Sequence, residues 1–118
     1  MRILVFVLLL LPIAVHAEAE RWYQLKYCKG EVEHRLSDGA RVDCLTETHA
    51  IEYDFGYKWA ECYGQATFYA IKTRRLPGCV LINERGKYNH NHLMRLRETV
   101  PPWFKIWLID ANGLTEIK

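Results

Sequence analysis

The run CVLIN, residues 79–83, constrains this chain more than any other stretch. It is continuously apolar, with Pro77-Gly78 before it and the polar ERGKYNHN (84–91) after it. A half-exposed strand alternates apolar and polar residues. An unbroken apolar run of this length suits a central, buried strand. The rest of the chain must therefore supply neighbouring strands and helices to cover it.

The neighbours can be read from periodicity. EVEHRL (31–36) and RVDCLT (41–46) both alternate, and SDGA (37–40) between them puts Asp38-Gly39 in a tight turn, a hairpin signal. HAIEYDF (49–55) predicts a third strand, with Ile51, Tyr53 and Phe55 on one face and Glu52 and Asp54 on the other. After Gly56 the period changes. In 57–75, Trp59, Cys62, Tyr63, Ala66, Tyr69 and Ala70 recur at helical spacing, while Lys58, Glu61, Gln65 and Lys72 take the other side. Pro77-Gly78 reads as the stop of that helix. HLMRLRETV (92–100) predicts a further helix closed by Pro101-Pro102, WFKIWLID (103–110) a last strand, and ANGLTEIK (111–118) a tail. Upstream, residues 18–29 carry Trp22, Leu25 and Cys28 at helical spacing and end at Gly30, a natural C-cap. The expected order is α-β-β-β-α-β-α-β. It implies an α/β fold of the α+β type, one mixed sheet with helices against it.

The first 17 residues are expected to be a signal peptide. Arg2 precedes an apolar run from Ile3 to Leu11, Pro12 breaks it, and small residues follow at Ala14, Ala17 and Ala19. That is the pattern of a secretory signal, with cleavage expected after Ala17 or Ala19. The run falls short of the roughly 20 apolar residues that span a bilayer. The expectation is a periplasmic or secreted protein, with no membrane attachment after cleavage, in which 18–118 form a single domain. The whole chain has 16 basic and 14 acidic residues, a balance that gives no support for a strong electrostatic grip on nucleic acid.

Four cysteines lie at 28, 44, 62 and 79, with no C-x-x-C pair, which argues against a zinc ribbon. An exported chain meets an oxidising compartment. Cys28 and Cys44 flank the predicted hairpin and are the expected disulfide; Cys62 and Cys79 read as small buried core residues.

The chemistry-bearing stretch is RVDCLTETHAIEYDF, 41–55. Glu52 and Asp54 share a strand face roughly 7 Å apart. If the strand of Asp43 pairs with theirs, three carboxylates converge. Converging carboxylates take up protons, pair with cations or bind a hard metal such as Mg²⁺. Lys58, Glu61 and Gln65 lie on one face of the next helix, and Tyr69 lies four residues beyond Gln65. Lys58 is placed to neutralise the carboxylates or steady a phosphate oxygen. Gln65 and Tyr69 are placed to hold a phosphate or nucleotide by hydrogen bonding.

This layout resembles the PD-(D/E)XK, or restriction-endonuclease-like, nuclease superfamily over roughly residues 20–110. Asp43 matches the family's Asp and Glu52 the Glu of its Glu-x-Lys. Gln65-Ala-Thr-Phe-Tyr69 matches the Q-x-x-x-Y of the branch resembling RecB-type exonucleases. Glu31 or Glu33 could match the extra acid of some members. The chain also resembles small exported bacterial proteins that share the THAIE-DF…KWAE…GQ wording. The resemblance implies a Mg²⁺- or Mn²⁺-dependent nuclease. Asp43, Glu52 and Asp54 would be its metal ligands, and Asp43, Glu52 and Lys58 its catalytic residues. Gln65 and Tyr69 would bind substrate, and dimers are common for the fold. Two departures stand out: Asp54 replaces the Lys of Glu-x-Lys, and Val42 replaces the proline before the Asp.

The competing expectation is a binding or scaffold protein that keeps the fold without the chemistry. In it, Asp43, Glu52 and Asp54 form a solvated strand face with Arg41 and Lys58, and Lys58 pairs with Glu61. His90 and His92 in YNHNHL read as a polar surface loop, since two histidines that close make a poor metal clip without a third ligand. His34 and His49 are undecided. No Gly-rich phosphate loop is present, and no cysteine has the electropositive setting of a nucleophile.

Overall fold

The computed structural model describes residues 11–83 and 90–118, with side chains described from residue 19 onward. Its elements are α1 (Leu11–Tyr27), β1 (Glu31–Arg35), β2 (Arg41–Leu45), β3 (His49–Phe55), a 3₁₀ turn (Gly56–Lys58), α2 (Trp59–Thr73), β4 (Leu76–Ile82), α3 (His90–Thr99), β5 (Lys105–Asp110) and β6 (Gly113–Ile117). They form a mixed α/β fold around one six-stranded sheet in the order β1-β2-β3-β4-β5-β6. The β1–β2, β2–β3 and β5–β6 pairs are antiparallel; β3–β4 and β4–β5 are parallel. The helices α2 and α3 are the crossovers that parallel neighbours require.

The apolar part of CVLIN sits as expected at the centre, inside β4, with Cys79, Val80, Leu81 and Ile82 all buried and Asn83 just past its end. Its two faces feed two clusters. Tyr23 of α1 packs with Cys44, Ile51, Tyr53, Val80, Ile82 and Ile109 on one side. On the other, residues from α2 and α3 (Cys62, Ala66, Leu93, Leu96) pack on Cys79, Leu81, Ile106 and Leu108. Period-2 alternation thus sends successive β4 side chains into different layers. Each layer is pinned by a disulfide: Cys28–Cys44 ties the end of α1 to β2, and Cys62–Cys79 ties α2 to β4. Cys62 and Cys79 are therefore bonded to each other, and are more than the two separate apolar fillers that the sequence suggested. They lie where the inner face of α2 meets the buried strand, a proximity that only the crossover creates.

Three further expectations are corrected. Residues 111–118 are not a tail, because Gly113–Ile117 add β6 antiparallel to β5. The missed signal was Ala111-Asn112-Gly113, a two-residue turn before a Gly at φ 103°. Pro77-Gly78 does not stop α2, which already ends at Thr73 with Arg74 in the left-handed region. Both residues lie inside β4. There Leu76 N–H donates to Thr48 O, and the pairing with β5 begins only at Gly78, so Pro77 withholds no donor from that ladder. The helix expected from His92 begins two residues earlier, so His90 and Asn91 lie in the first turn of α3 and not in a loop; the rest of the predicted polar loop, 84–89, is outside the described residues.

The helix expected over 18–29 begins earlier, at Leu11, so both expected cleavage points fall within α1. Among the described residues no helix is long and apolar enough to cross a membrane.

Candidate functional site

The β2–β3 ladder breaks where the acids lie. Backbone pairing covers Cys44↔Ile51 and Leu45↔Ala50; one step further, Asp43 and Glu52 face each other. There the side chains replace the ladder. Asp43 N–H donates to Glu52 Oε1 at 3.0 Å, and Tyr53 N–H donates to Asp43 Oδ2 at 2.9 Å. Each carboxyl satisfies a main-chain donor of the opposite strand, a requirement of any buried N–H. The two carboxyls lie close enough for each to shift the ionisation of the other.

The distortion extends to the next strand. The β1–β2 register sets Glu33 across from Asp43, and Glu33 has φ 57°, a left-handed value inside a strand. Such a conformation is uncommon for a residue with a Cβ and persists only where its surroundings impose it. Three adjacent strands are thus irregular at one level, and each carries an acid there.

Burial sets the electrostatics. Glu52 is 4% exposed and Asp54 5% exposed, which corrects the solvated-face expectation: this face lies under α2, where Cys62 Sγ contacts Glu52 O. Burial is the first cause of every shift in the cluster. It raises Asp43 to about 6, against the lowering effect of the Tyr53 N–H. It raises Glu52 far above the carboxylate range, with the charge of Asp43 adding to it. It raises Asp54 to about 8, helped by Glu20 and Asp43. Charged forms are disfavoured in a low-dielectric site that gathers like charges. At neutral pH Glu52 therefore carries a proton. Asp54 Oδ2 is buried without a hydrogen-bond partner among the described residues.

Lys58 lies in the 3₁₀ turn, one residue ahead of α2. Its Nζ meets Glu20 Oε1 at 3.2 Å, so its partner is not the expected Glu61. Burial opposes its charge, but the Glu20 hydrogen bond and the nearby acids, Asp54 among them, outweigh burial and raise its pKa. Glu20 was missed in the sequence. It sits 38 positions from Lys58, and nothing local in α1 signals a partner that distant.

Tyr69 is half-buried against Val42, Leu45 and Ala50. Its hydroxyl is raised first by burial, then by Glu52 and Asp43. It therefore borders the acid pair. Gln65, one turn earlier on α2, is half-buried. Glu31 is drawn away to His34 Nδ1 at 2.7 Å, while Glu33 stays near, with Arg41 at 4.0 Å.

The cluster thus brings together Asp43, Glu52, Asp54 and Tyr69, with Glu33, Glu20 and Lys58 around them. Among the described residues, no group of three or more His, Cys, Asp or Glu stands in a metal-holding arrangement. The uncommitted donors are hard carboxylate oxygens, including the orphaned Asp54 Oδ2, the donor type that Mg²⁺ and Mn²⁺ prefer. No family model matches the chain, and no curated protein or solved structure matches it either.

Proposed function

We propose that the chain is an exported domain with a restriction-endonuclease-like core. In this reading Asp43, Glu52 and Asp54 take up Mg²⁺ or Mn²⁺, and the site hydrolyses a phosphodiester. The observation that carries the reading is the buried acid cluster at the broken β2–β3 ladder, with Asp54 Oδ2 left without a partner. Three acids held where each resists ionisation gain from a divalent cation, which would displace their protons and relieve their repulsion. A cation of this kind lowers the pKa of a bound water and stabilises phosphoryl charge. The chain's own groups have separate tasks. Asp43 and Glu52 resist ionisation until a cation takes the place of their protons. Lys58, held by Glu20, offers an ammonium to a phosphate oxygen. Tyr69, with Gln65 beside it, orients the substrate strand.

Two disulfides in the described chain accord with the export that its N-terminal sequence suggests. The test is cleavage of single- and double-stranded oligonucleotides with Mg²⁺ or Mn²⁺. Asp43→Ala and Glu52→Ala should each abolish cleavage while circular dichroism stays native. Unchanged cleavage by both variants would sink the assignment.

A second reading is a binding or scaffold domain without catalysis. What favours it is the fate of the lysine: position 54 carries an acid, and the amine of Lys58 is bound to Glu20. It predicts no divalent-cation binding at the acids and no cleavage by the wild type.

A further inference from the structure

A hollow lies on the face of the sheet opposite Glu52 and Asp54, at the other end of the strands. Helix α1 covers the α1-side face only as far as Tyr27. Beyond it, where β3, β4 and β5 begin, the sheet is open over a hollow of about 310 Å³. Its central feature is Trp107 of β5. The indole lies across β4 at Gly78, where a Cβ would come within 2.7 Å of the ring, so only glycine lets it lie flat there. His49 meets the same ring edge-to-face, with centroids 6.0 Å apart, and Lys105 Nζ sits 5.5 Å from the ring centroid. The indole is thus held from several sides and stays half-buried.

The charged side chains that line the hollow are both basic. Its lining includes Lys29 and Lys105 and no carboxylate. Lys105 is shared with Glu116 at 2.8 Å on the neighbouring strand, and Lys29 makes no ion pair among the described residues. One cation is therefore uncommitted beside an aromatic wall. Burial first, and then Lys105, lower the pKa of His49, so its ring faces the hollow uncharged at neutral pH, with Nδ1 2.8 Å from Thr48 Oγ1. A volume at the small end of ligand cavities, mostly apolar and aromatic walls and a few polar groups at the rim are the marks of a small-molecule site.

We infer that this hollow binds a small planar organic monoanion, an aromatic ring bearing one carboxylate. Its ring lies against Trp107, and its carboxylate meets Lys29 and Lys105. Ring-on-indole contact supplies the apolar part of recognition, and the ammonium groups select for the anion. Glu52 and Asp54 face the other layer under α2, and the hollow touches the acid cluster only through Tyr53, whose N–H donates to Asp43.

The test uses two probes of equal shape, 2-naphthoate and the uncharged 2-naphthamide. Each is titrated into the disulfide-bonded protein and followed by the indole N–H resonances of its four tryptophans. The expected result is saturable 2-naphthoate binding that moves the Trp107 indole resonance, with 2-naphthamide weaker by about tenfold or more. The double variant Lys29→Gln, Lys105→Gln removes both charges while keeping long polar side chains, and should remove that preference. Trp107→Leu should weaken both probes. The inference is overturned if 2-naphthamide binds as tightly as 2-naphthoate. It is also overturned if the lysine variant keeps the preference, if the shifts centre on Trp22 or Trp103, or if neither probe saturates.

Discussion

The main-chain N–H of Asp43 donates to Glu52 Oε1 at 3.0 Å across the point where the β2–β3 ladder breaks off. A side chain does there what a carbonyl does elsewhere in the sheet. The role of Glu52 in the fold is therefore that of a neutral acceptor, whatever its role in chemistry. Glu52→Gln keeps an acceptor at that position and should change unfolding free energy by less than about 1 kcal/mol. Glu52→Ala leaves the Asp43 N–H unpaired and should cost about 1–3 kcal/mol. Urea unfolding of the two variants without added metal checks this. Equal losses from both would mean that the charge of Glu52, and not its hydrogen bond, supports the strand.

The raised acids fix the sign of the pH dependence. Asp43 and Asp54 move up from 3.8 to about 6 and about 8, and Glu52 moves further in the same direction. Between the ordinary carboxylate range and those values, the folded chain binds more protons than the unfolded chain. The stabilising contribution of these groups is complete below about pH 4 and is lost as pH rises through the folded values. Without divalent cations the urea midpoint should fall from pH 5 to pH 8, and Asp54→Asn should flatten the upper part of that fall. A midpoint that rises over the same interval would contradict the protonated cluster. Adding Mn²⁺ at pH 8 should restore stability, since the cation takes the place of the lost protons.

The two disulfides close loops of nearly equal length, with sequence separations of 16 and 17, so chain entropy assigns them similar worth. Removing either by paired Cys→Ser substitution should cost about 2–5 kcal/mol. Accessibility separates them. Cys62 and Cys79 are both fully buried, whereas Cys28 is half-buried at the end of α1. Under mild dithiothreitol, alkylation and mass spectrometry should find Cys28 and Cys44 modified before Cys62 and Cys79. The reverse order would mean that α2 opens from the sheet more readily than α1.

How legible all this was depends on the range of the interaction. The Asp38-Gly39 turn, the alternation of 49–55 and the unbroken apolar run in β4 are local patterns, and the corresponding elements lie where those patterns put them. Arg74 ended α2 through a left-handed cap that no Gly announced. Pro77 looked like punctuation because its place ahead of the β5 pairing depends on a strand almost 30 residues later. The acids were legible as a group, since parity puts Glu52 and Asp54 on one face. Their burial was not, because it depends on which layer α2 covers. The Cys62–Cys79 bond and the Glu20–Lys58 pair were out of reach for the same reason: each joins residues that only the crossover and the docking of α1 bring together.

The most direct test of the central claim is isothermal titration of Mn²⁺ into the protein at pH 8, comparing wild type with Glu52→Gln and Asp54→Asn, both of which should fold. One saturable site in the wild type, lost or strongly weakened in both variants, is the predicted result. No binding heat in the wild type, or the same heat in all three proteins, would contradict a divalent-cation site at the acid cluster and leave the domain as a binding protein.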